Sequence, residues 1–178
     1  MPTPTYVAIA KTVLTGSQAS VTFSSIPSTY TDLVVLLSAR GSHTGTYTQF
    51  CVVEFNADNT SLYSRTFLEG DGSAASSGRF STTYIINNAL TTDTATSNTF
   101  SNMEFYVPNY TAATNKVLSD SSASESNIAS GPKAEVMAGL YRNTTAISSI
   151  KLTALTPALG ASNFLSGSRF DLYGIKNS

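Results

Sequence analysis

The sequence predicts an all-β protein, a single-domain β-sandwich of jelly-roll type with about nine or ten strands. Three observations carry this expectation. Short β-branched, aromatic or alternating segments recur along the 178 residues, separated by clusters of Gly, Pro, Asn and Ser. Only Ala134 to Arg142 admits a helical apolar period, and the Asn143-Thr144-Thr145 turn that follows favours a strand there. Leu33, Val34, Val35, Leu36 and Leu37 form an unbroken apolar run. Successive strand side chains point to opposite faces, so this run predicts a strand covered on both sides, by another part of the chain or by another copy of it.

In chain order, Pro2 and Pro4 predict an extended N-terminal arm over residues 1–5, ahead of a sandwich domain at 6–178. Thr5 to Leu14 reads as a first strand. Val21 and Phe23 form the inward pair of a second, which Pro27 closes. Tyr30 to Arg40 is the doubly covered strand, and Gly41 and Gly45 bracket the next turn. Tyr47 to Asn56 is a strand with Cys51, Val53 and Phe55 on one face and Phe50 and Val52 on the other. Residues 57–79, rich in Gly and Ser, read as a surface loop excursion. Phe80 to Asn87 is the next strand, followed by a polar loop to Asn98. Thr99 to Tyr110 places Met103, Phe105 and Val107 inward, and Asn115 to Ser126 is a weak strand. Ala134 to Arg142, Ile147 to Ala154 and Asn163 to Ile175 complete the set.

Composition narrows the function classes. Charged residues make up 12% of the chain, against about 25% in an ordinary soluble protein, and the net charge is −1. The polar surface is built from hydroxyls instead, with 27 Ser and 25 Thr. A nearly neutral hydroxyl surface suits copies packed closely in an assembly. No Lys/Arg cluster is present, which argues against a nucleic-acid surface. No apolar run approaches the roughly 20 residues of a membrane helix, and the N-terminal M-P-T-P-T-Y lacks the segments of a signal peptide. Cys51 is the single cysteine and sits in a strand context, where a small buried apolar role is expected.

Three segments together carry a resemblance: V-T-F-S-S-I-P-S-T-Y-T-D-L-V-V at Val21 to Val35, V-P-N-Y-T-A-A-T-N-K at Val107 to Lys116, and F-D-L-Y-G-I at Phe170 to Ile175. The chain resembles the small jelly-roll virion proteins of tailed bacteriophages, which decorate or cement capsids, with related modules on tail fibres. The resemblance implies a structural protein without catalytic residues or cofactor. It also implies a place on the capsid exterior, self-association as a homotrimer, and the phage major capsid protein as partner.

Candidate chemistry is sparse. His43, the only histidine, lies in a glycine-flanked turn, with Asp32 and Cys51 as conceivable partners for nucleophilic catalysis; no nucleophile signature accompanies them. Asp58, Glu69 and Asp71 surround the Gly-rich excursion with carboxylate oxygens of the type a Ca²⁺ loop uses, without the regular calcium-loop spacing. The expected contact residues are Val34, Leu36, Phe50 and Val52 for self-association, on the second faces of their strands. Pro2 and Pro4 belong to a capsid-contact arm. The alternative is a tail or baseplate module that binds a host receptor or glycan. That reading assigns the surface to Tyr63, Phe67, Glu69 and Asp71, with Tyr47, Tyr84, Tyr106 and Tyr110 as further aromatic platforms.

Overall fold

The structure, a computed structural model, describes residues 5–128 and 131–176. Among these there are twelve strands and no helix: β1 Tyr6–Val13, β2 Ser20–Phe23, β3 Asp32–Ala39, β4 Thr48–Phe55, β5 Tyr63–Gly70, β6 Ala75–Thr82, β7 Ile85–Thr91, β8 Ser101–Val107, β9 Lys116–Ala123, β10 Ala134–Tyr141, β11 Ile150–Leu155 and β12 Arg169–Ile175. They form two antiparallel sheets, one of eight strands ordered β1-β12-β3-β8-β9-β10-β5-β6 and one of four ordered β2-β11-β4-β7.

The pairing is nested. β1 pairs with β12, β2 with β11, β3 with β8 and β4 with β7. These four pairs alternate between the sheets, so a long four-step hairpin is rolled into a sandwich. That is the jelly-roll topology. The two remaining pairs are insertions. β5–β6 lies between β4 and β7, β9–β10 lies between β8 and β11, and both join the large sheet beyond β8. The result is a four-strand extension on one side of an otherwise symmetric sandwich.

The extension corrects the sequence reading of residues 57–79. The segment is not a loop excursion but most of a hairpin, closed by Asp71-Gly72-Ser73-Ala74 with Gly72 at φ +84°. A positive φ at the first central residue is the hairpin-turn conformation that glycine adopts without strain. Apolar alternation is weak here because β6 is exposed along nearly its whole length. Gly72-Ser73, a two-residue hairpin loop, was the available signal. The hairpin also accounts for the excess over nine or ten strands, together with a break at Thr83 and Tyr84 that separates β6 from β7.

Elsewhere the pleat follows the sequence. In β9 every second residue is buried, and β10 alternates likewise. In β3, Leu33, Val35 and Leu37 face the core at 0–2% exposure, and Phe55, Phe105, Phe164 and Phe170 fill the space between the sheets. Burying one such side chain contributes about 1.5–3 kcal/mol.

The opposite face of β3 is covered from within its own sheet. Val34 is 1% exposed, with Tyr173 of β12 and Tyr106 of β8 directly opposite on either side. Directly opposite side chains on one face touch, so two tyrosines close over the smaller valine.

Candidate contact surface

The three segments that carry the resemblance meet at one end of the sandwich. The Tyr110 hydroxyl donates to the Pro27 carbonyl. Asp32 accepts from the Tyr106 hydroxyl at 2.9 Å and from the Asn109 amide at 2.8 Å. The Thr31 amide donates to the Ile175 carbonyl at 2.8 Å. The Tyr30 ring lies where a Cβ on Gly174 would stand, 2.2 Å from its Cγ. Lys116, 1% exposed, donates to the Ala112 carbonyl at 2.7 Å and to that of Thr114, holding its own turn. These residue types therefore build a turn cluster.

The catalytic candidates are not assembled. Asp32 opens β3 and His43 follows its far end, roughly 26 Å away along an eight-residue strand. Cys51 is fully buried in the core, and burial raises its thiol pKa far above the ordinary range. His43 lines a cleft of about 260 Å³ with Ser42, Thr156, Ser162 and Asn163, and its amide donates to Gln49 Oε1 at 2.9 Å.

The carboxylates around the hairpin have separate structural tasks. Asp71 accepts from the Ser73 and Ala74 amides at 2.9 and 2.8 Å and closes the turn, which lowers its pKa to about 2. Asp58 accepts from Thr60 and from the Tyr141 hydroxyl, and is likewise held near 2. Glu69 pairs with Lys133 at 2.8 Å and accepts from Asn88 and Ser76. Burial pushes its pKa up, but these partners leave it below the usual value. Among the described residues, no three His, Cys, Asp or Glu side chains gather as metal ligands.

Other expected contact residues fall in three groups. Val34 and Val52 are each 1% exposed within the single subunit, so neither offers surface to a second copy. The cover on Val52 comes from its cross-strand neighbours Thr153 and Ile86. Leu36, Phe50 and Phe67 are half-buried. Tyr63 is fully buried: it accepts from the Phe55 amide at 3.0 Å and stacks on Tyr141 at 4.7 Å, which removes it from any receptor surface. Tyr110 is buried as well, and Tyr47, Tyr84 and Tyr106 are half-buried. Pro2 and Pro4 lie outside the described residues.

A polar cluster that the sequence reading passed over fastens the extension to the small sheet. Asn87 of β7 donates to Asp120 Oδ2 at 2.7 Å and to Ser122 Oγ at 2.6 Å, both on β9. Arg65 of β5 donates to the Ile86 carbonyl and to Glu135 Oε1 at 3.4 Å, while its guanidinium lies 4.4 Å over the Phe67 ring. Arg65, Asn87, Asp120 and Glu135 are at most 5% exposed. Burial raises the pKa of both Asp120 and Glu135 to about 7. The missed signal was positional: Asp120 follows Leu118 by two residues and so shares its inward face.

The outer face of the extension is of another kind. The outward residues of β9, β10 and β5 are Ser, Thr, Ala, Gly, Val and Leu, with no charge. Two apolar cross-strand pairs stand on it, Leu68–Val136 and Val117–Leu140. Leu68, Val117 and Val136 are each 54–55% exposed. Residues from β8 to β6, among them Glu104, Ser121, Val136 and Leu68, line one trough of about 710 Å³. An apolar patch on a sheet surface with charge only at its borders suits contact with another macromolecule.

Fold and surface together define the class: a jelly-roll β-sandwich with one sheet enlarged by two inserted hairpins. No protein-family model, curated protein or solved structure matches the chain.

Proposed function

We propose that the chain is a phage virion structural protein, a capsid decoration protein that stabilises the shell by packing against capsid subunits and against copies of itself on the capsid exterior. It acts without catalysis or cofactor. The observation that carries this reading is the outer face of the extension. It is a broad trough whose floor on β9, β10 and β5 carries no outward charge, bordered by Glu104 and Arg79, with Leu68, Val117 and Val136 more than half exposed. Such a surface binds by shape and apolar burial rather than by charge, and a stable contact needs at least about 1,000 Å² in total. The hydroxyl-rich, nearly neutral composition supports the same reading, because closely packed copies then repel one another little. The test is rebinding of purified protein to capsids stripped of it. Saturable binding in hundreds of copies per particle is expected; absence of binding would overturn the proposal.

A second reading, a tail or baseplate module that touches a host surface, is favoured by the β5–β6 hairpin, whose last strand projects with Phe80 51% exposed. Copy number separates the two, since a tail component would be present in a few to tens of copies.

A further inference from the structure

We propose that the open edge of β6 is a self-pairing site. On this inference, which rests on the reading that the protein acts by self-association, two copies join antiparallel through β6 about a two-fold axis at Gly78 and make one continuous sheet.

The edge groups follow from the hairpin. The Asp71 amide donates to the Ala74 carbonyl at 3.2 Å, and β5 and β6 then pair without a register break from Gly70–Ala75 to Tyr63–Thr82. Hydrogen-bonded and non-hydrogen-bonded pairs alternate in an antiparallel ladder. Ser76, Gly78, Phe80 and Thr82 therefore spend their backbone groups on β5. Ala75, Ser77, Arg79 and Ser81 point their N–H and C=O groups outward, and no hydrogen bond among the described residues reaches them.

The other three sheet edges are guarded. β1 carries a bulge between Ala8 and Ala10 that breaks its register. β2 has four residues. β7 has its Ile86 carbonyl taken by Arg65 and its Thr91 amide by Ser101 Oγ. β6 is long, regular and exposed, without proline or bulge. Natural proteins blunt such an edge unless a strand is to pair with it.

The occupant is argued from symmetry. The four outward residues lie evenly about Gly78. Antiparallel self-pairing there sets Ala75 against Ser81 and Ser77 against Arg79 of the second copy, satisfying all four with about eight hydrogen bonds. This register also keeps the one charge of the strand, Arg79, opposite a serine instead of its own mate. Glycine suits the axis because its missing side chain is already filled from the same subunit. A Cβ on Gly78 would meet Phe67 Cε1 at 2.8 Å. The stacked Phe67 and Phe80 rings, 5.9 Å apart, then meet their symmetry mates on the inner face and cover the exposed Phe80. The contact is isologous and closes at two copies, not the three that the resemblance implied.

The test is site-directed crosslinking. In the proposed register Ala75 and Ser81 of two copies stand about 5.5 Å apart at Cα, within disulfide reach, whereas the same residues of one strand are too distant. The A75C/S81C protein should form a covalent dimer on mild oxidation, and the out-of-register A75C/R79C protein should not; buried Cys51 contributes no background. Light scattering at micromolar concentration should show a dimer for the parent chain and a monomer for Ser77→Pro and Arg79→Pro, with circular dichroism verifying the fold. Monomeric parent protein, or equal crosslinking of both cysteine pairs, overturns the pairing. A dimer that survives both prolines overturns it too, while leaving self-association intact. A monomeric parent whose proline variants lose shell binding identifies a shell strand as the occupant instead. Rebinding to stripped capsids, scored separately, tests the functional reading itself.

Discussion

Asn87 on the small sheet donates to Asp120 on the extension of the large sheet at 2.7 Å, and the bond lies wholly between the two layers. It is a specific tie between the jelly roll and its inserted hairpins. Replacing Asn87 by Leu leaves Asp120 and Ser122 without this donor. A buried acceptor that loses its partner costs about 1–3 kcal/mol, more where a charge is involved. Urea unfolding of Asn87→Leu should show a loss of this size, reduced in Asn87→Leu/Asp120→Leu; equal losses would mean that the bond contributes nothing specific.

The same cluster sets the dependence of stability on pH. Burial raises Asp120 and Glu135 to about 7, above their ordinary values of 3.8 and 4.5. The folded state therefore holds protons that the unfolded state releases, and stability falls as pH rises from about 4 to 7. Asp58 and Asp71, both held near 2, act oppositely: their contributions are lost as pH falls from about 4 toward 2. Thermal unfolding should give a maximum near pH 4–5 and a lower midpoint at pH 8 than at pH 5. Asp120→Asn should flatten that slope, and an unchanged slope would place its origin elsewhere.

Gly174 and Tyr30 join two of the segments that carry the resemblance. The Tyr30 ring occupies the place of a Cβ, so Gly174→Ala must displace its base. Overpacking of this kind costs about 1–3 kcal/mol. Gly16, with nothing within 4 Å of its Cβ position, is the control, and Gly16→Ala should stay within about 0.5 kcal/mol of the parent in the same denaturation series.

Tyr63 carries a polar task in the core. Its hydroxyl accepts from the Phe55 amide and donates to the Asp58 carbonyl, each at 3.0 Å. Tyr63→Phe keeps the stack on Tyr141 and deletes these bonds, so a loss of about 1–2 kcal/mol is expected in chemical denaturation. No loss would show that the Phe55 amide finds another acceptor.

The outer face of the extension separates binding from folding. Leu68→Lys and Val136→Lys place charges at positions already more than half exposed, so melting temperatures should change little. Binding to stripped shells should fall at least tenfold, read by co-sedimentation. Undiminished binding would move the contact to another surface.

The strands of the jelly roll were largely legible in the chain. Val21 and Phe23, and Met103, Phe105 and Val107, announce their faces by local alternation, which depends only on the pleat, and the unbroken apolar run Leu33 to Leu37 announces a strand covered on both sides. Residues 57–79 were not legible, because β6 borders solvent on both faces and so carries no apolar period. Nor was the buried cluster: Arg65, Asn87, Asp120 and Glu135 lie far apart in sequence and become a unit only when β7 crosses the inserted hairpins.

By itself the sequence determined the class, an all-β sandwich of short strands, and the inward face of most of them, since both follow from two-residue periodicity and turn chemistry. Tertiary structure alone decided that Val34 and Val52 are covered within the subunit, that two hairpins enlarge one sheet, and that the edge of β6 stands open. Those facts depend on which strands become neighbours. Pairing between distant segments is settled by the packing of the whole, and no short stretch of chain encodes it.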